Sequence, residues 1–284
     1  MDELDFIHTP PKSGYDADVA YAFFNAAGNE EPISAGKTIF VEDEKSSWLR
    51  LQRDKMYFLL EGEVELSINA NPVAIVHQGD IFGEMATITR SARSATATAR
   101  TQCRVISLDE KQFHAGLSES PEFALMLMSV IAGRLRDLIA RLNESGALAE
   151  SDEWKESSVF NKNMLAELEE EVGERSIMRY NSGKFIMQEG QAGIFMYVVL
   201  EGRVAVTIHN RIVEKVGPGG MFGEMALIER SERLANAVAE TDCTLLAINR
   251  NVFLELVKEN PEFGVALLGA VGERALFMAA QLAA

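Results

Sequence analysis

Glu84 and Arg93 are the residues through which this chain can do chemistry. They stand nine positions apart in a segment that runs Ile81-Phe82-Gly83-Glu84-Met85-Ala86 and continues to Arg93-Ser94-Ala95-Thr96. A glutamate offers acceptors to a pair of hydroxyl donors, while an arginine offers a planar fork of donors matched to phosphate oxygens. Gly83 lets the backbone approach a ligand and take a positive φ at little cost. The residues after it, Glu84 to Thr87, suit a single helical turn whose free amides would face an anion. The group is suited to a phosphorylated sugar. It then recurs as Met221-Phe222-Gly223-Glu224-Met225-Ala226 followed by Arg233-Leu234-Ala235-Asn236, with both charged residues 140 positions on (84 to 224, 93 to 233). One Gly-Glu pair with a later arginine is common by chance; two copies at a fixed offset point to a site in at least one of them.

Such a segment needs a scaffold, and the flanking patterns describe one. Alternation on either side of Glu61-Gly62, from Tyr57 to Ile68, predicts a hairpin of two β-strands, and Tyr197 to Ile208 repeats it around Glu201-Gly202. Further strands are predicted at Val73–Val76, Thr96–Ala99 and Arg104–Leu108, with a corner at Gln78-Gly79-Asp80. Many short strands with glycine corners predict a mostly β fold with α: two tandem antiparallel β-rolls of double-stranded β-helix or jelly-roll type, each flanked by helices. Pro121 opens a long helix carrying Phe123, Leu127, Ile131, Leu135, Leu138, Ile139 and Leu142 at helical spacing, which Gly146 should end. Pro261 opens its counterpart with Phe263, Leu267, Val271, Leu276 and Met278. The expected layout is a flexible lead-in over 1–18, a first domain over 19–146 that opens on a helix at Val19–Ala27, a helical connector over 147–176 and a second domain over 177–284. Gly36 and Gly183 are offset by 147, so the first copy carries about seven extra residues within Asp43–Lys55, a longer loop around Trp48, Leu49 and Leu51 that could cover the pocket or a partner.

Composition excludes several classes. The 284 residues suffice for two domains with their own cores, and a formal net charge of −16 argues against nucleic acid as a partner. Cys103 and Cys243 are also offset by 140; equivalent positions in separate domains are expected as buried small hydrophobes, not as a disulfide, which fits a reducing cytoplasm. No apolar run approaches the roughly 20 residues needed to span a bilayer, and the acidic start lacks a secretory pattern, so a soluble, cytoplasmic protein is expected. The histidines (His8, His77, His114, His209) lack metal-ligand spacing, and no P-loop or nucleophile elbow occurs. No metal, no cofactor and no enzymatic activity are expected.

The combination of Glu61-Gly62 with Val64, Gly79-Asp80-x-Phe82-Gly83-Glu84, Arg93-Ser94-Ala95-Thr96 and a closing helix from Pro121 resembles the cyclic nucleotide-binding domain. The resemblance covers roughly 33–143 and 178–284. The tandem layout is similar to regulatory subunits of cyclic-AMP-dependent protein kinase, and each copy to the sensor half of catabolite activator protein. It implies that Glu84 and Glu224 accept the ribose 2′-hydroxyl and that Arg93 and Arg233 hold the cyclic phosphate. Gly83, Met85, Ala86 and Ser94 would complete the first cradle, and Gly223, Met225, Ala226 and Leu234 the second. Arg134 and Arg274 match a supporting helix arginine. Leu138 and Ile139 in the first copy, and Met278 and Ala279 in the second, would lie over the base; none reads a purine edge through its side chain. That apolar lid favours cyclic AMP, while the Ser94 hydroxyl leaves cyclic GMP possible. Leu234 replaces Ser94 in the second copy, and Glu229 and Glu232 add negative charge there, so the first pocket ranks above the second.

These features imply a non-catalytic receptor that binds a cyclic nucleotide and signals to an unidentified effector protein by a change of shape. The alternative is a tandem β-roll scaffold without nucleotide binding that acts only through protein contacts, using the acidic connector and the Trp48 loop. Ten residues follow Arg274, so a helix-turn-helix output after the long helix is not expected. Leu135, Leu138 and Leu142 could pair long helices between chains or between the two halves of one chain, and a homodimer is the favoured expectation.

Overall fold

The computed structural model describes residues 14–44, 55–145, 159–208, 211–228 and 232–283. The extra loop around Trp48, the Gly146 stop, Glu229 and the early part of the connector lie outside them.

The first repeat runs α1 (Ala17–Ala27), β1 (Asn29–Ile33), β2 (Thr38–Phe40), β3 (Lys55–Glu61), β4 (Val64–Ile68), β5 (Asn71–Val76), β6 (Ile81–Phe82), α2 (Glu84–Thr89), β7 (Thr96–Ala99), β8 (Cys103–Asp109), α3 (Glu110–Glu119) and α4 (Glu122–Ser145). Its strands form two four-stranded antiparallel sheets, β1-β8-β3-β6 and β2-β7-β4-β5. Inward residues of both sheets share one core, among them Tyr57, Leu59, Val64, Leu66, Ala97 and Val105. The alternation in β4 and β7 reflects this single buried face. By contrast β3 is buried on both faces, because Phe58 meets Phe24 of α1, and Phe23 stacks on Phe123 of α4 with ring centroids 3.8 Å apart.

The connector ends in α5 (Lys162–Val172), capped by the Asn161 side chain, which accepts from the amides of Asn163 and Met164. The second repeat follows as β9 (Ile177–Tyr180), β10 (Phe185–Met187), β11 (Phe195–Glu201), β12 (Val204–Ile208), β13 (Arg211–Val216), β14 (Met221–Phe222), α6 (Met225–Ile228), β15 (Asn236–Ala239), β16 (Cys243–Asn249), α7 (Arg250–Glu259) and α8 (Pro261–Ala283). Its sheets, β9-β16-β11-β14 and β10-β15-β12-β13, repeat the first order strand for strand. Even the irregularities coincide: the register of β3 on β8 shifts between Leu59 and Glu61, and that of β11 on β16 between Val199 and Glu201.

Glycine is required at the hairpin corner. Gly62 has φ 96°, and a Cβ there would lie 2.6 Å from the Gln102 carbonyl oxygen and 2.7 Å from Cys103 Sγ. Cys103 and Cys243 are both buried and free, as expected of small core residues.

By packing, the chain divides into one compact unit of Met1–Ala147 with Val257–Ala284 and another of Leu148–Leu256. The last helix of the second repeat thus falls in the first unit. Helix α8 packs against α4, α2 and α3 of the first unit. Its apolar face specifies burial and not a partner, since the hydrophobic effect is non-directional. Leu135, Leu138 and Leu142 of α4 are buried within this single chain.

Candidate functional site

In the first unit, β6 pairs with β3 through Tyr57↔Phe82 and Phe58↔Ile81, then stops at Gly83. There φ is 75°, and a Cβ would lie 3.0 Å from Arg93 Nη1, 3.1 Å from Phe40 Cε1 and 3.2 Å from the Lys55 carbonyl oxygen. A glycine is therefore needed both for the turn and for the approach of Arg93. The guanidinium donates from Nη1 to the Gly83 carbonyl at 2.8 Å and from Nη2 to the Lys55 carbonyl at 2.9 Å. Its Cζ sits 4.2 Å from the centroid of the Phe40 ring. Only 5% of Arg93 is exposed, a depth a cation tolerates when carbonyl oxygens and an aromatic face replace its water.

Glu84 opens α2 and is equally buried, at 6% exposure. Its Oε1 accepts from Arg134 Nη1 at 3.0 Å, which ties α2 to α4. Arg134 Nε is buried with no hydrogen-bond partner. Breaking such a pair from one side is costly because it strands the other charge.

These groups face an open cleft that encloses about 680 Å³ of space, solvent included. Of the expected first-site residues, Gly83, Glu84, Met85, Ala86, Arg93, Ser94 and Arg134 line it. Leu138 and Ile139, expected over the base, are not among the residues that line it. Leu138 is one helical turn beyond Arg134, about 6 Å along α4, and is buried.

The pocket also holds a residue that the sequence placed at a corner and within the Gly79–Glu84 motif, without a role in binding. Asp80 lines it, and its Oδ2 accepts from the His77 amide at 2.9 Å. Burial pushes its carboxyl above the ordinary range against the pull of that bond. Tyr15 is a further neighbour. Its hydroxyl donates to the Gly79 carbonyl at 2.6 Å, and burial, then Asp80 and Glu84, hold its proton on well above the usual phenol range. A lone tyrosine between breakers in an irregular stretch carries no periodic signal by which this contact could have been found.

The second unit repeats the arginine clamp. Gly223 has φ 76°, and Arg233 donates from Nη1 to the Gly223 carbonyl at 2.9 Å and from Nη2 to the Phe195 carbonyl at 2.7 Å. Glu224 and Arg233 are 5% and 8% exposed. Met225 and Ala226 follow on α6, and Leu234 is half-buried. One feature differs from the first copy among the described residues. The ring beside the guanidinium is Tyr197, 6.0 Å away. The Arg233 backbone is held as that of Arg93 is: Gly190 N donates to the Arg233 carbonyl at 2.9 Å and Arg233 N to the Gln191 carbonyl at 2.8 Å, as Asp43 N donates to the Arg93 carbonyl at 2.9 Å and Arg93 N to the Glu44 carbonyl at 3.0 Å. The Gly193 backbone lies beside the Arg233 guanidinium, where a Cβ would fall 2.1 Å from Nε. Burial lowers the Arg233 pKa from its ordinary value. Arg274 and Met278, expected in the second site, lie on α8, which packs within the first unit.

Among the described residues no group of three or more His, Cys, Asp or Glu is placed to hold a metal ion, and no helix is long and apolar enough to cross a membrane.

The family model for the cyclic nucleotide-binding domain matches residues 30–120 and 177–260. A cGMP-dependent protein kinase, isozyme 2, of Drosophila melanogaster is 24% identical over 220 residues, 73% of this chain and 18% of that protein. A cAMP-dependent protein kinase regulatory subunit of Eremothecium gossypii is 39% identical over 77 residues, 27% of this chain and 17% of the relative. The chain thus spans about a fifth of the length of these relatives. Among solved structures, cAMP-bound PfPKA-R aligns with a TM-score of 0.34 at 20% identity, covering 94% of this chain and 89% of that one.

Proposed function

From the premise that the chain belongs to the cyclic nucleotide-binding domain family, its model matching 30–120 and 177–260, we propose that it is a receptor for a cyclic nucleotide, cyclic AMP ahead of cyclic GMP. It has no catalysis of its own in this reading and acts on a protein partner through a change of shape. The observation that carries the reading is that a buried arginine and a buried glutamate, nine residues apart, line one open pocket.

The roles follow from the chemistry. The carbonyls of Gly83 and Lys55 fix the plane of the Arg93 guanidinium at the pocket wall, where it meets the cyclic phosphate. Arg134 holds one oxygen of Glu84, so the carboxylate is oriented before a ribose hydroxyl arrives. Met85 and Ala86 offer backbone amides, and Ser94 a hydroxyl at the rim. In the second site Glu224 and Arg233 take the same roles with Gly223, Met225, Ala226 and Leu234. That site binds more weakly in this reading, because Leu234 stands where the first site has the Ser94 hydroxyl and Glu229 and Glu232 add negative charge in its sequence.

Ligand capture shifts an existing equilibrium by its differential affinity for the two states. The pull on Arg93 passes through Gly83 to α2, and from Glu84 to α4. The effector is proposed to be a protein kinase, since one named relative is a cGMP-dependent protein kinase and the other a regulatory subunit of a cAMP-dependent one. Thermal unfolding with cyclic AMP, cyclic GMP and AMP tests the binding claim: a ligand at about 100 times its dissociation constant stabilises by roughly 2.7 kcal/mol. Stabilisation by neither cyclic nucleotide would leave the scaffold reading in its place.

A further inference from the structure

The first site is backed by a helix that does not come from its own repeat. Helix α8 continues from β16 and α7 of the second repeat, yet it packs within the first unit against α2, whose residues Glu84, Met85 and Ala86 line the pocket. Two glycines make the contact. A Cβ on Gly272 would lie 2.7 Å from Thr89 Cγ2, 3.6 Å from Met85 Cε and 3.8 Å from Ile88 Cγ2; one on Gly269 would lie 3.3 Å from the Ile88 carbonyl oxygen.

Glycine is a poor choice inside a helix, and α8 carries it where its backbone touches α2. Thr89 has little freedom to retreat, since its hydroxyl donates to the Met85 carbonyl at 2.8 Å and lies 2.7 Å from Ser91 Oγ. The first turn of α8 meets α3, where Glu262 Oε1 lies 3.4 Å from His114 Nδ1. Helix α2 is thus fixed from two sides, through Glu84 by Arg134 of α4 and along its last turn by the glycine face of α8.

Resting on the receptor reading above, we propose that Gly269 and Gly272 are positioning residues for the first site: they set the depth of α2, and so the placement of Glu84 and Met85 at the pocket, from the end of the other repeat. Affinity at the first site then depends on a helix that lies at the end of the second repeat in sequence.

The test uses the full chain in an Arg233→Ala background, so that cyclic AMP titration by calorimetry reads the first site. Gly272→Ala improves helix propensity, so a purely helix-forming role predicts equal or better binding. The positioning role predicts about threefold to tenfold weaker binding, with Gly269→Ala acting in the same direction. Thr89→Ser removes the methyl that the new Cβ meets and keeps the hydroxyl bond. Adding it to Gly272→Ala should return affinity to within about twofold of the parent. Unchanged affinity in both glycine variants, or a loss that Thr89→Ser does not relieve, overturns the proposal while the receptor reading stands. A parent chain that binds no cyclic nucleotide overturns both.

Discussion

Arg93→Ala is the perturbation that asks most of the receptor reading. The guanidinium is 5% exposed, and it is held by two carbonyl bonds of 2.8 and 2.9 Å and by the Phe40 ring. A ligand phosphate placed beside it would be largely desolvated, so removing the cation leaves an anion buried without its partner. That loss is about 2–4 kcal/mol, or roughly 30-fold to 1,000-fold in affinity. The substitution also strips a donor from the Gly83 and Lys55 carbonyls, at about 1–3 kcal/mol for each group left unsatisfied. The apo chain should therefore melt earlier as well, and its unfolding must be measured beside the binding. Arg93→Lys separates the effects, because one ammonium cannot span both carbonyls and present a planar fork to phosphate. It should retain more stability than alanine while still losing affinity. Calorimetry on Arg93→Ala and Arg233→Ala, each as a single variant, apportions the two sites, with the larger loss expected at Arg93. Unchanged affinity and stoichiometry in both variants would refute the reasoning.

Other outcomes follow from single contacts. Glu84→Gln keeps an acceptor for Arg134 but weakens the hydroxyl contact, so the preference for cyclic AMP over its 2′-deoxy analogue should shrink by about tenfold; an unaltered ratio would remove Glu84 as the ribose reader. Burial raises the Asp80 carboxyl pKa, so the folded state keeps that proton to higher pH than the unfolded chain, and the stability this group contributes is present at low pH and lost as pH rises through its folded value. Asp80→Asn, which keeps an acceptor for the His77 amide, should therefore raise the thermal midpoint near neutral pH and lose that advantage in acid; a pH-independent difference contradicts this. Phe123 is fully buried and stacked on Phe23, and Phe123→Ala should cost about 3–5 kcal/mol in denaturant unfolding. Gly62→Ala places a Cβ 2.6 Å from a carbonyl oxygen at φ 96°, so a melting temperature equal to wild type would refute the corner argument.

Most of the scaffold is legible in the sequence. The offset of 140 that links Glu84 to Glu224 and Arg93 to Arg233 reappears as matching sheet orders, matching register shifts, and the same pair of carbonyls, Gly83 with Lys55 and Gly223 with Phe195. Strand alternation and helix periodicity are local signals, carried by residues a few positions apart. The Glu-Arg pair is local in the same sense. The aromatic layer under α1 was less visible, since the continuous apolar run of β3 announces two buried faces without saying what covers the second.

The amino-acid order alone determined the duplication, the two rolls and the charged pair in each, because spacing along a strand or helix dictates which side chains share a face. Tertiary structure decided the rest. It placed Tyr15 on Gly79, laid the Gly193 backbone beside Arg233, kept Leu138 and Ile139 out of the pocket lining, and gave the last helix of the second repeat to the first unit. The physical reason is common to all four. An apolar face, a glycine or a hydroxyl states what it requires, a dry surface, a close neighbour or an acceptor, and chain contacts distant in sequence choose which of many equivalent partners meets the requirement.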